Sequence, residues 1–369
     1  MFCGRSEKAR SAARQYGRLK CKKSLCTKLF VFVQRDFFVL KINIDGKDEC
    51  MKRSICIIMT DKCNAECKTC CFSCSPKNSS VIDEKLMLKV IDDAAELGNT
   101  DAVGFSGGEP FLYYELMKKG MEYAKQKGFG VTVATNGFWG GWDDKELVKK
   151  LSALPLDHIS FSYDHYHAEY VDEKAFERAV GYCKANGISY SVGIGETKEK
   201  KANDFFRDLG VEKYLMKFYI YPYLRVGRAE KEMTNDAFYK FCDTKRIHCR
   251  SEGLLAVRYD GKVFPCCVQT VFDTALSMGN ISDSSLKEIT ENSRLAKLIR
   301  VIKDPDSFTE LKNIAASETD IPDMCGDHCE ICRMIFKDEK RLNILVDYAD
   351  SIYEKKLVDS FLGRGGLLK

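Results

Sequence analysis

The chain has 369 residues, 45% of them hydrophobic, and a formal net charge of +4 with acidic and basic side chains interspersed. That size suits one large domain with a smaller one, and the mixed charge leaves no basic footprint for nucleic acid. Its 18 cysteines fall mostly into three clusters in a long chain, which excludes a small secreted disulfide scaffold and favours metal ligation in a reducing, cytoplasmic setting.

Residues 1–50 are basic and unpatterned, with Arg5, Lys8, Arg10, Arg14, Arg18, Lys20, Lys22 and Lys23. An address peptide fits that composition; the expectation preferred here is an upstream artefact, with Met51 the natural start and no role for Cys3, Cys21, Cys26 or Cys50. The most apolar stretch, Leu29 to Ile44, is broken by Gln34, Arg35, Asp36 and Lys41, so no membrane span is expected.

From residue 54 strands and helices alternate. Ile55–Met59 reads as a first strand, followed by a cysteine loop. Asp83–Leu97 has helical spacing and ends at Gly98. Ala102–Phe105 is a second strand, Tyr113–Lys127 a helix and Phe129–Ala134 a third strand. Asp143–Leu151 is a helix with an acidic first turn, and His158–Tyr163 a fourth strand. Asp172–Asn186 with Ile188–Ile194, then Ala202–Leu209 with Met216–Tyr221, repeat the helix–strand pair. Six strands with intervening helices predict a parallel α/β fold with right-handed crossovers, an open (β/α)6 barrel rather than a closed eight-fold one. The expected domains are 51–235 for this core, 236–335 for a cysteine-rich extension and 336–369 for a C-terminal helix.

Chemistry in such barrels gathers where strands end, and the notable residues fall there in turn. Cys63, Cys67 and Cys70 follow strand one at C-x3-C-x2-C spacing. Three soft thiolates in eight residues can hold three irons of a [4Fe–4S] cube and leave the fourth open; a structural zinc knuckle would use paired C-x2-C elements instead. Cys71 and Cys74 read as neighbours of that site. Gly107-Gly108-Glu109-Pro110 follows strand two, where glycines let backbone approach a ligand and a carboxylate can take an ammonium group. Asn136 follows strand three, and Ser162 and Asp164 close strand four; ordinary loop capping is the plain alternative for each. His165 and His167 stand just beyond, read more readily as packing than as pocket. Arg225 and Arg228 follow strand six, where a carboxylate contact and solvated surface fit equally well.

The second cysteine group opens at Cys249. Leu254–Tyr259 and Lys262–Phe264 form a hairpin around the Asp260-Gly261 turn, which carries Cys266 back towards it. With Cys329 and Cys332 these thiols complete a four-cysteine site; Cys325 competes for one place, and four cysteines alone suit zinc or iron–sulfur. Cys267 is a spare thiol beside Cys266, either a small buried hydrophobe or a hydrogen donor. The helix Asn343–Leu362 carries Ile344, Val346, Tyr348 and Ile352 on an apolar face for packing or recognition.

CNAECKTCCFSCSP (63–76), SGGEP (106–110), TNGFWG (135–140), SYDHYH (162–167), DGKVFPCC (260–267) and CGDHCEIC (325–332) together carry a resemblance. From Met51 to about Phe336 the chain resembles radical SAM peptide-modifying enzymes with a twitch/SPASM-like extension, and among them the epipeptide epimerases. The resemblance implies a [4Fe–4S] cluster on Cys63, Cys67 and Cys70, with S-adenosylmethionine (SAM) on the open iron. It implies Gly107, Gly108, Glu109 and Pro110 at the methionyl amino group, and Asn136, Ser162 and Asp164 among the further SAM contacts. One auxiliary [4Fe–4S] cluster on Cys249, Cys266, Cys329 and Cys332 is expected, with Cys325 as the competitor. The implied reaction removes a peptide Cα hydrogen with a 5′-deoxyadenosyl radical, and Cys267 returns hydrogen from the opposite face. Expected partners are a ribosomally made precursor peptide and an electron donor such as flavodoxin or ferredoxin. A maturase forming thioether or carbon–carbon cross-links is the alternative, a zinc-binding non-enzymatic protein the outsider.

Overall fold

The computed structural model describes residues 53–208, 218–251 and 253–362. The basic segment 1–50, the proposed start at Met51, Leu209 and Met216 lie outside these residues. Six strands, β1 (Arg53–Ile58), β2 (Thr100–Ser106), β3 (Gly130–Thr135), β4 (His158–Ser162), β5 (Ser189–Glu196) and β6 (Phe218–Pro222), pair in parallel in chain order. Helices α1 (Glu84–Glu96), α2 (Tyr114–Gln126), α3 (Asp144–Ser152), α4 (Glu173–Ala185) and α5 (Ala202–Asp208) connect them. Asp83, Asp143 and Asp172 cap α1, α3 and α4 with side-chain oxygens that accept first-turn N–H groups. This is the expected open (β/α)6 arrangement, with element ends displaced by a residue or so.

Alternate residues of a strand face opposite sides of the sheet. Ile55, Ile57, Val103, Phe105, Val131, Val133, Ile159 and Phe161 bury themselves in the main core with the helices. On the other face the paired row Cys56, Gly104, Thr132, His158, Ser189 crosses the sheet. That side is small or polar, so the sheet has one greasy face and one fit for ligands.

The extension does not stand apart from the barrel. β8 (Leu254–Arg258) pairs in parallel with β1, and β9 (Lys262–Phe264) turns back against β8, so the expected hairpin widens the main sheet. β10 (Gly279–Asn280) closes the edge, giving the order β10-β9-β8-β1-β2-β3-β4-β5-β6. A separate two-strand ladder joins β7 (Cys242–Asp243) to β11 (Met324–Cys325). After β6 come the short α6 (Arg228–Glu232) and, beyond the hairpin, α7 (Leu286–Asn292), α8 (Ala296–Val301), α9 (Pro305–Ala315), α10 (His328–Phe336) and α11 (Glu339–Phe361).

A second core holds α8 to α11 together. The buried stripe of α11 is Leu342, Leu345, Val346, Ala349 and Ile352, whereas Ile344 and Tyr348 are exposed. The face expected from sequence is therefore corrected: Val346 and Ile352 pack, and Ile344 and Tyr348 look outward. No helix among the described residues is long and apolar enough to cross a membrane.

Candidate active site and cysteine centres

The loop after β1 is a tethered excursion. Its ends close through Ile82 N–H donating to Met59 O at 2.7 Å and Cys63 N–H donating to Ser75 O at 3.1 Å. Asp61 accepts from the Ser80 amide and hydroxyl, both at 2.9 Å. Inside it Cys63, Cys67 and Cys70 come together in one cluster with Tyr166 and Tyr223. Burial pushes the Cys63 thiol up to about 12, while hydrogen bonds from the Cys74 thiol and amide lower Cys70 to about 6. Burial likewise raises Cys67. Three soft donors brought together, two buried and raised and one already poised as a thiolate, fit a cationic iron–sulfur cluster, whose charge would draw off the remaining thiol protons.

Gly107 and Gly108 fit because they lack a side chain. A Cβ on Gly107 would stand 2.4 Å from Thr60 O, and one on Gly108 2.0 Å from Lys62 O. The Gly108 and Glu109 N–H groups donate to those same two carbonyls at 2.7 and 2.9 Å. The close contact sets Glu109 beside the cysteine loop. Glu109 is fully buried and caps the short turn that Pro110 opens. Its carboxylate accepts from Thr135 Oγ1 at 2.8 Å and from the Asn136 N–H at 2.8 Å. Burial outweighs these bonds and pushes it up to about 7.

Asn136 reaches back to the loop: its Nδ2 donates to Asn64 Oδ1 at 2.9 Å and lies 3.9 Å from Cys63 Sγ. Ser162 ends β4, half-buried. Asp164 is fully buried and accepts from the Gly195 N–H at 3.0 Å, Tyr223 Oη at 2.6 Å and His167 Nδ1 at 3.0 Å. Burial works against its charge, but His167 and these hydrogen bonds hold it below its ordinary value; the reciprocal attraction raises His167. His167 also feels the charges of Cys70 and Glu109, whereas His165 packs edge-on against Phe205. Glu109, Asn136, Asp164, His167 and the three thiols thus share one end of the sheet. Tyr223, buried there, and Tyr221, partly buried beside it, were missed from sequence; the spacing Tyr219, Tyr221, Tyr223 was their only signal.

Of the two arginines after β6, Arg228 departs from the expected readings. Arg228 is buried, and its guanidinium donates to Cys67 O and Cys74 O, each at 2.6 Å. Its N–H donates to Cys70 O at 3.1 Å, and Gly227 packs on the Cys70 and Cys71 carbonyls. Arg228 is thus a clamp on the cysteine loop, neither surface nor free for a carboxylate. Arg225 donates to Glu230 O at 3.0 Å.

At the second centre, Cys249, Cys266, Cys329 and Cys332 act electrostatically on one another. Burial pushes Cys266 up to about 12 and raises the other three, the same signature of donors suited to a cationic centre. Asp327 caps α10 by accepting from the Cys329 N–H at 2.8 Å. Cys325 shares a core cluster with Cys249 and Cys332 and stands opposite Cys242 in the β7–β11 ladder, with its thiol donating to Cys242 O at 3.7 Å. Cys267 is buried with Cys56, Ile58, Ala256 and Phe264, and it faces the Cys56 thiol. A cavity of about 270 Å³ is walled by Ile58, Cys71, Phe72, Arg258, Phe272 and Asp273 among others, with Cys267 not in its lining.

The radical SAM superfamily profile matches residues 57–201, and that of the iron–sulfur cluster-binding SPASM domain matches residues 249–330. The chain is 31% identical over 289 residues to the tungsten-containing aldehyde ferredoxin oxidoreductase cofactor-modifying protein of Pyrococcus furiosus, covering 64% of this chain and 80% of that one. It is 26% identical over 314 residues to Bacillus subtilis YydG, a protein named for peptide biosynthesis, covering 82% and 98%. Among solved structures, Streptococcus suis SuiB bound to S-adenosylmethionine shares the fold with a TM-score of 0.50 and 15% identity, over 68% of each chain. The chain belongs to the radical SAM superfamily: it is an iron–sulfur enzyme that uses a [4Fe–4S] cluster and S-adenosylmethionine, with auxiliary iron–sulfur binding in its extension.

Proposed function

We propose that this enzyme epimerises L- to D-residues in a ribosomally made peptide. In this reading Cys63, Cys67 and Cys70 hold the SAM-binding cluster, and Cys249, Cys266, Cys329 and Cys332 hold one auxiliary cluster. When bound, the reduced cluster and SAM supply a 5′-deoxyadenosyl radical, the hard step that a cofactor contributes. Glu109 takes the methionyl ammonium, and Asn136 and Ser162 orient the rest of SAM. Asp164 holds His167 and Tyr223 in place around them. The sheet's polar face takes the peptide and excludes water. After a Cα hydrogen is removed, Cys267 gives its thiol hydrogen atom to the opposite face of the planar carbon, and the thiyl left behind takes one electron from the external electron donor and one proton to become a thiol again.

The observation that supports inversion over oxidation is Cys267 itself. It is a buried thiol outside the four-cysteine set, packed with Ile58 and Phe72, which also wall the cavity. The name of YydG supports a peptide substrate. Turnover of a precursor peptide in D₂O tests the reading: deuterium should enter at Cα with no hydrogen lost from the formula. A product two hydrogens lighter overturns it in favour of cross-linking. Cys267→Ala should still form 5′-deoxyadenosine yet release no D-residue; undiminished epimerisation removes Cys267 from the mechanism.

A further inference from the structure

One residue past Cys332, Arg333 leaves α10 almost fully buried. Its Nε donates to Asp273 Oδ2 at 2.6 Å and its Nη2 to Glu230 Oε2 at 2.5 Å. Lys337, one turn on, reaches the same two carboxylates at 3.2 and 3.7 Å. Two cations thus meet two anions in a closed quartet, and the planar guanidinium fork is what lets one side chain hold two acids from different segments.

Each acid leads back to a cysteine centre. Glu230 sits in α6, the turn whose first residue, Arg228, grips Cys67 O and Cys74 O. Asp273 follows Thr270, whose hydroxyl donates to Cys329 O at 3.1 Å. Glu230 and Asp273 also wall the cavity beside Cys71. The polar path therefore runs from the loop of Cys63, Cys67 and Cys70 through Arg228 and Glu230 to Arg333 and the helix of Cys329 and Cys332. A second, apolar link runs beside it: Phe72 meets Phe272 with ring centroids 4.8 Å apart.

We infer that Arg333, acting through Glu230, is a positioning residue that sets the auxiliary cysteine centre against the radical-generating loop, so that hydrogen return stays coupled to hydrogen abstraction. This rests on the epimerase reading for its chemistry and on the bridge alone for its geometry. The Phe72–Phe272 contact and both hydrophobic cores do not include Arg333, so its replacement should loosen the joint without unfolding the domain.

The test uses reconstituted full-length enzyme with Arg333→Met, Glu230→Gln and Arg333→Lys. The ratio of D-residue to 5′-deoxyadenosine should fall about fivefold or more in the first two at wild-type iron content, and recover in part with lysine. An unchanged ratio, or a parallel loss of ratio and iron in all three, overturns the inference. Magnetic coupling between the two reduced centres gives a readout independent of the peptide. It should weaken in Arg333→Met, and coupling equal to wild type overturns the bridge whatever the reaction proves to be. Absence of D-residue in the wild type instead overturns the epimerase reading and leaves the magnetic result to decide the bridge.

Discussion

Arg228 donates from one guanidinium nitrogen to Cys67 O at 2.6 Å, across 161 positions of sequence. The same side chain takes Cys74 O with its other nitrogen, so a loop of thiols is fixed by a residue that holds no iron. Removing the clamp leaves Cys74 O without its donor, a cost of about 1–3 kcal/mol, while Cys67 O keeps the Cys70 N–H at 3.1 Å. Arg228→Met should lower stability by about 1–3 kcal/mol and the thermal midpoint by roughly 1–5 °C. Iron bound at the first centre should fall with it. A scan of thermal unfolding with iron analysis checks both, and wild-type values in each would show that the loop holds itself.

Glu109 gives the enzyme a pH dependence. Burial lifts its carboxyl from an ordinary 4.5 to about 7, so the folded protein holds this proton more tightly than the unfolded chain. The sign follows: Glu109 costs stability as pH rises from about 4.5 through about 7, and the cost is fully present above that. If Glu109 takes the methionyl ammonium as proposed, binding needs its carboxylate, so SAM affinity should increase up to a plateau above about pH 7 and weaken about tenfold per unit well below it. Equilibrium binding on reconstituted protein at several pH values measures this, and Glu109→Gln should bind weakly with a flat profile.

The four-thiol assignment makes opposite forecasts for two cysteines of one motif. Cys325 faces Cys242, so Cys325→Ser should keep the full complement of roughly eight irons per chain. Cys332→Ser should lose the auxiliary set and retain roughly four. Iron and sulfide analysis after anaerobic reconstitution separates them; loss of iron in the Cys325 variant would return that residue to the ligand set.

Gly108 is the tightest contact in the site. A methyl group there would stand 2.0 Å from the Lys62 carbonyl oxygen, and backbone cannot yield as a flexible side chain can. Gly108→Ala should push Glu109 away from the cysteine loop and weaken SAM binding at least about tenfold, a loss of about 1.4 kcal/mol. Gly181→Ala, with open space around it and no left-handed backbone, is the control for a glycine without such contact.

The sequence by itself determined the six core strands with their connecting helices, the hairpin after them and the spacing of the first three thiols. Strand and helix periods are local, a C-x3-C-x2-C loop keeps its three thiols within eight residues, and Gly107 to Pro110 fall at a strand end that those periods locate. Only the tertiary structure decided the partners that meet from afar. Whether Cys325 faces a cluster or Cys242, 83 residues away, depends on the β7–β11 ladder; whether Arg228 meets solvent or the Cys67 carbonyl depends on where β6 delivers it. The addition of β8 to β1, the outward turn of Ile344 and Tyr348, and the Arg333–Glu230 bridge are of the same kind. Each is a choice among several local fits of equal quality, and packing of distant segments, with every buried carbonyl, carboxylate and guanidinium needing a partner, selects one.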